Sequence, residues 1–154
     1  MGLRRSPTAM ALVAAVAALA TTVGITLVVR DPAPDGFVRA ASLQELAERD
    51  VIYVPPARAF LVHQPEAPLA LSARSPHLGA RVRYCASSEW FQDRYGAMFD
   101  ARGRYVLGPA DRGLDRFHIE IREDEIYIDT TEIILGPPRG DRDLEAAGPF
   151  CGPD

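Results

Sequence analysis

The sequence lacks the excess of positive charge that a nucleic-acid-binding surface needs. Its 154 residues carry 17 basic and 21 acidic side chains, which gives a formal net charge of −4. Nucleic-acid-binding domains are typically basic, with arginine and lysine clustered on one face, so this class is excluded. The length suits one compact domain with appendages, and the sequence contains no internal repeat.

The sequence also lacks the motifs of the common enzyme classes. It contains no phosphate-binding loop, no nucleophile with a nearby general base, and no carboxylate pair placed for acid–base chemistry. Ser75 and His77 are too close along the chain to indicate a hydrolase without further partners. We therefore assign no catalytic residue and do not expect an enzyme.

Long apolar runs are confined to the N-terminus. Residues 10–29 contain no charged side chain, and a helix of that length spans about 30 Å, the thickness of the hydrocarbon core of a bilayer. Arg4 and Arg5 precede the run. Because positive charge tends to stay in the cytoplasm, the pattern predicts a single-pass anchor in the cell membrane within residues 1–30, with a cytoplasmic N-terminus and the rest outside. A cleaved signal peptide, whose apolar region is typically about 7–15 residues long, is the alternative, and the arginine pair is only a weak signal for twin-arginine export.

Residues 31–50 predict a stiff connection followed by a helix. The segment DPAPDG (residues 31–36) contains two prolines and a glycine, which is typical of a non-helical spacer. Ser42 and Glu45 then form a capping-box pattern ahead of apolar residues that share one helical face. We expect a Pro-rich tether and one short helix, the only helix outside the membrane.

From residue 51 the pattern changes to short β-strands. Aliphatic and aromatic runs alternate with turn signals, namely VIYV, AFLVHQ, LALSAR, RVRYC and EWFQD. In FHIEIREDEIYIDT, apolar residues alternate on both sides of a charged turn, which predicts a hairpin with one buried face. We therefore predict an all-β fold, a small sandwich or barrel, over residues 51–137. The Pro- and Gly-rich residues 138–154 predict an irregular tail.

The sequence contains only two cysteines, Cys85 and Cys151. An even count in an exported domain fits one disulfide, and this is the pairing that we expect. Two unpaired thiols are the alternative. A thiol-redox activity is not favoured, because no reactive motif surrounds either residue.

Two loops of the predicted β region resemble the cluster-binding loops of the Rieske iron–sulfur proteins. That family carries Cys-x-His-Leu-Gly-Cys in one loop and Cys-Pro-x-His-Gly-Ser in the other. Here the first loop (residues 75–80) is SPHLGA and the second loop (residues 92–100) is QDRYGAMFD. The segment GRYVLGPADRGLDRF is similar to the family's glycine–proline loop, which covers the cluster. The predicted anchor and tether resemble the layout of the membrane-anchored subunit of cytochrome bc-type complexes.

The resemblance implies which residues stand at the ligand positions of a Rieske [2Fe–2S] cluster, which uses two thiolates and two imidazoles. His77 is the only ligand position retained, whereas Ser75 and Gln92 replace the two cysteines and Tyr95 replaces the second histidine. A serine hydroxyl keeps its proton at neutral pH and a glutamine amide is a weak neutral donor, so the soft anionic ligands that iron prefers are missing.

We therefore expect a membrane-anchored Rieske-fold protein without a cluster, which acts as a structural or accessory subunit. The resemblance implies that its partners are the membrane and cytochrome b-type or other subunits of a membrane electron-transfer complex. The alternative is a [2Fe–2S] electron carrier between quinol and cytochrome that uses non-standard ligands such as His77, Tyr95 and Cys85.

Overall fold

The computed structural model describes Ala33, residues 35–140 and Cys151. The predicted anchor at residues 10–29 lies outside the described residues, as does most of the predicted tail. Within the part that is described, no helix is long and apolar enough to cross a membrane.

The described domain is built from ten strands in two antiparallel sheets, as an all-β fold requires. The first sheet has six strands in the order β1-β10-β9-β4-β3-β2, and the second has four in the order β5-β6-β7-β8. The strands are β1 Phe37–Ser42, β2 Val51–Val54, β3 Ala59–Val62, β4 Leu69–Ser72, β5 Val82–Cys85, β6 Trp90–Asp93, β7 Met98–Phe99, β8 Tyr105–Leu107, β9 Arg116–Arg122 and β10 Glu125–Ile134.

One α-helix, α1 (Leu43–Arg49), lies in the described part of the chain, as predicted. Ser42 is its N-cap, and the Ser42 hydroxyl oxygen accepts a hydrogen bond from the backbone N–H of Glu45 at 3.0 Å. A cap of this kind satisfies one of the N–H groups that the first helical turn leaves without a partner. Leu46 is fully buried and anchors the helix to the domain.

The hairpin predicted from alternation is strands β9 and β10, with the turn at Glu123 and Asp124. Ile126 pairs with Ile121 and Ile128 pairs with Ile119. Ile126 and Ile128 are fully buried, whereas Ile121 is 45% exposed. The period of the apolar residues therefore identified the strands correctly, although the β9 residue opposite the buried Ile126 is exposed.

Strand β1 extends the six-stranded sheet into the segment that the sequence assigned to the tether and helix. Phe37 pairs with Asp129 and Ala41 pairs with Ile126, so β1 is an edge strand beside β10. Ala41 is fully buried. The sheet therefore begins before residue 51, the expected start of the β domain.

Two apolar clusters fill the domain. One lies against the six-stranded sheet and includes Leu46, Leu61 and Ile126. The other joins the two sheets, because Phe60 of β3 and Phe91 of β6 pack with ring centroids 5.0 Å apart. This second cluster supports the β5–β6 hairpin, which lies between the first and second loops in sequence and so positions both of them.

Candidate functional site

The first loop is a tight turn closed by its own backbone. The N–H of Ser75 donates to the carbonyl oxygen of Ala80 at 2.8 Å, and the N–H of Ala80 donates to that of His77 at 3.3 Å. Ser75 is buried, and its hydroxyl oxygen accepts a hydrogen bond from the N–H of His77 at 3.1 Å. The serine at the first predicted ligand position therefore helps to hold the turn.

The far end of the first loop presents an apolar side chain to solvent. Leu78 and Gly79 both have left-handed backbones, with φ of 58° and 64°. A left-handed conformation is costly for a leucine and is usual for glycine. The Leu78 side chain is 76% exposed. This residue is the most exposed large hydrophobic side chain of the described domain.

Asp93 organises the second loop, and the sequence reasoning gave it no role. Its carboxylate oxygen Oδ1 accepts hydrogen bonds from the N–H groups of Tyr95 at 2.8 Å and Ala97 at 3.0 Å. The backbone N–H of Asp93 also donates to the carbonyl oxygen of Ala97, and its own carbonyl oxygen accepts from Gly96. Asp93 is only 2% exposed. Aspartate often accepts a hydrogen bond from the backbone N–H two residues later in a turn, and a glycine often follows. This pattern could have indicated the role of Asp93.

The two loops meet at His77 and Tyr95, two of the predicted ligand positions. Their rings are in edge-to-face contact, with centroids 5.6 Å apart and planes at 84°. The guanidinium of Arg94 donates to the Tyr95 hydroxyl at 2.6 Å and lies 4.8 Å from the centre of the same ring. Because the phenol oxygen is paired with a cation, this tyrosine is anchored within its own loop.

Gln92, a further predicted ligand position, contacts Cys151. Its side-chain oxygen Oε1 accepts a hydrogen bond from the backbone N–H of Cys151 at 3.1 Å. Gln92 is 8% exposed, and a buried amide oxygen needs such a partner. Its oxygen therefore helps to hold Cys151 in place.

The predicted disulfide between Cys85 and Cys151 is confirmed. The two Cα atoms are 5.3 Å apart, and the described residues contain no free cysteine. Cys85 ends β5 and is buried. The bond therefore joins the end of β5 to a residue 66 positions later in the sequence.

A third segment, the glycine–proline loop, packs backbone against backbone on the second loop. Gly108 has φ of 97°, and a Cβ atom there would overlap the carbonyl oxygen of Gly96 and lie 2.7 Å from the Cα of Ala97. The Tyr105 hydroxyl donates to the Gly108 carbonyl oxygen at 2.9 Å. Only glycine fits at this close approach.

The side chains at the predicted ligand positions do not fit a two-iron cluster. Such a cluster needs two thiolates on one of its irons, but the positions of the two thiolates are a serine and a glutamine whose oxygens accept backbone hydrogen bonds. Both cysteines of the chain are joined in the disulfide. Across the described ranges, no group of three His, Cys, Asp or Glu side chains is placed to hold a metal ion.

Comparison with known proteins shows the fold. No family model matches the sequence, and no curated protein matches it. Among solved structures, the chain is similar to the cyanobacterial plasma membrane Rieske protein PetC3 from Synechocystis PCC 6803, with a TM-score of 0.50 and 21% sequence identity. The match covers 59% of this chain and 97% of that one. The described domain therefore has a Rieske-like β fold.

Proposed function

We propose that this chain is a membrane-anchored Rieske-fold protein that carries no iron–sulfur cluster and serves as a structural or accessory subunit of a membrane electron-transfer complex. The observation that carries the proposal is the use of the ligand positions. Ser75 closes the first loop, Gln92 holds Cys151, and Tyr95 pairs with Arg94. The similarity to a plasma membrane Rieske protein supports the electron-transfer context.

The metal content of the full chain tests the first half of the proposal. We expect no stoichiometric iron, no acid-labile sulfide and no electron paramagnetic resonance signal after anaerobic purification and reduction. The variant His77→Ala removes the only retained ligand position, and His118→Ala, which changes a histidine on β9, is its control. Because the proposal has no metal bound to the chain, both variants should have the same metal content as the wild type. Near two irons per chain, lost in His77→Ala alone, would instead establish a carrier with non-standard ligands.

The proposed docking surface is the exposed end of the two loops. Leu78 is 76% exposed and Tyr95 is 44% exposed, although both are apolar enough to favour burial. A subunit that works through its surface would bury them against a neighbour. The ring contact of Tyr95 with His77 holds the two loops together without a metal.

Co-purification tests the docking surface. The full chain, extracted from native membranes in mild detergent, should elute with the optical spectrum of haem b. Leu78→Ser should lower the amount of haem b in the eluate. Ile121→Ser, which changes a 45% exposed isoleucine on β9, should leave that amount unchanged. Absence of haem with the wild-type chain would contradict the proposal.

A further inference from the structure

A pocket beside the first loop gathers three arginines. It has a volume of about 320 Å³, and its lining includes Arg58, Arg74 and Arg81 together with Tyr53 and Gly79. No acidic side chain of the described residues lines it. We call it the arginine pocket. Its three positive charges stand out in a chain whose formal net charge is −4.

The backbone holds these arginines in place against their mutual repulsion. Arg74 and Arg81 are directly opposite in the isolated antiparallel bridge that flanks the first loop, and like charges in such a pair are destabilising. Arg58 has a left-handed backbone with φ of 48°, and its carbonyl oxygen accepts from the N–H of Ala73 at 2.8 Å. A non-glycine residue in this conformation also costs free energy.

Some other arginines of the domain pair with carboxylates, whereas the described residues contain no ion pair of these three. Arg102 pairs with Glu66 at 2.9 Å, and Arg104 pairs with Asp100 at 2.6 Å. The arginines of the pocket have no carboxylate within ion-pair distance among residues 35–140. The guanidinium of Arg81 lies 5.7 Å from the centre of the Tyr53 ring, a contact that leaves its charge unneutralised.

A second, larger cavity of about 750 Å³ adjoins the first and shares Tyr53 and Arg81 with it. Its lining includes Phe60 and Tyr84 together with two further arginines, Arg83 and Arg94. Burial raises the pKa of Tyr84, and the nearby charges of Glu89 and Asp50 raise it further. The uncharged Phe60 and Tyr84 side chains could contact the body of a ligand whose phosphate group binds in the arginine pocket.

We propose that the arginine pocket binds a phosphate group, with the body of the ligand in the adjoining cavity. Guanidinium groups match phosphate oxygens with paired, charge-assisted hydrogen bonds. The phosphate group could belong to a phospholipid headgroup or to a soluble organic phosphate, since both present the same chemistry. This inference does not depend on the presence or absence of a cluster.

Site-resolved arginine modification tests the proposal. The full chain in zwitterionic nanodiscs is treated with phenylglyoxal, and the modification rate at each arginine is measured by mass spectrometry. Sodium phosphate and methyl phosphate should slow the reaction of Arg58, Arg74 and Arg81 about 5-fold, given the strength of charge-assisted hydrogen bonds at exposed sites. Sodium chloride at the same ionic strength should not do so, and Arg49 on α1 should react at the same rate throughout.

Variants and lipids complete the experiment. Arg74→Gln should weaken phosphate binding, measured by calorimetry, by roughly 5- to 10-fold, whereas Arg49→Gln should not change it. If phosphatidic acid in the nanodiscs protects the same three arginines, the phosphate group belongs to a lipid. If only free phosphates protect them, it belongs to a soluble ligand. The proposal is overturned if neither protects them, or if chloride or the control arginine responds equally.

Discussion

Reduction of the disulfide should destabilise the domain by an amount that the length of the closed loop sets. Cys85 and Cys151 are separated by 66 positions. In the chain-entropy model, a loop of that length lowers the entropy of the unfolded chain by about 15 cal/mol/K, which corresponds to about 4 kcal/mol at 25 °C. With a urea dependence of about 2 kcal/mol/M for a domain of this size, the midpoint of unfolding should fall by about 2 M.

The assay is urea unfolding of the full chain in detergent, with and without dithiothreitol. Reduction leaves both sulfur atoms in place, so it does not create a cavity at the buried Cys85. The slope of the free energy against urea should also rise, because an unfolded chain without the cross-link is more extended. The variant Cys85→Ala is the matched control, since dithiothreitol should have no effect on it. A loss below about 1 kcal/mol with an unchanged slope would refute the loop-closure explanation.

Three further substitutions test the second loop and strand β10. Gly108→Ala should lower the free energy of unfolding by about 2–4 kcal/mol through backbone strain and overlap, and Gly140→Ala, which adds a methyl group in open space, should leave it unchanged. Asp93→Ala should cost about 2–4 kcal/mol in the same assay, because two backbone N–H groups lose their acceptor, and a loss below about 1 kcal/mol would contradict this role. Thr131→Val should raise the pKa of Asp129 in a nuclear magnetic resonance titration, because the Thr131 hydroxyl lowers it from the ordinary 3.8. In the wild type this carboxylate therefore stabilises the fold above about pH 3.8, and the stabilisation is lost as the pH falls through the lowered pKa. An unchanged pKa of Asp129 in Thr131→Val would exclude the hydrogen bond.

The strands that the sequence predicted are those whose own residues carry a short apolar run or an apolar alternation. Strands β9 and β10 are adjacent in the chain and alternate clearly, so the hairpin could be recognised locally. Strand β1 is different. Its partner lies about ninety residues away, with Phe37 opposite Asp129, and it is placed between a Pro-rich segment and a helix cap. Its pairing depends on the tertiary structure, which a local pattern does not contain.

The candidate site divides in a similar way. The contact of His77 with Tyr95 agrees with the two-loop arrangement implied by the Rieske resemblance. The arginine pocket could not be predicted, because Arg58 comes from the β2–β3 turn while Arg74 and Arg81 flank a loop that begins 17 positions later. The role of Gln92 was also inaccessible, since its hydrogen-bond partner is Cys151.

The second loop keeps its shape through groups that are not predicted ligand positions. Its turn is set by the Asp93 carboxylate and by the backbone of Gly108 packed on Gly96, and none of these contacts involves the side chain at position 95. A loop of this construction tolerates changes in the residues that would carry chemistry. The second loop is therefore a suitable starting point for protein engineering, in which a metal ligand is introduced at position 95 while the Asp93 and Gly108 contacts are left unchanged.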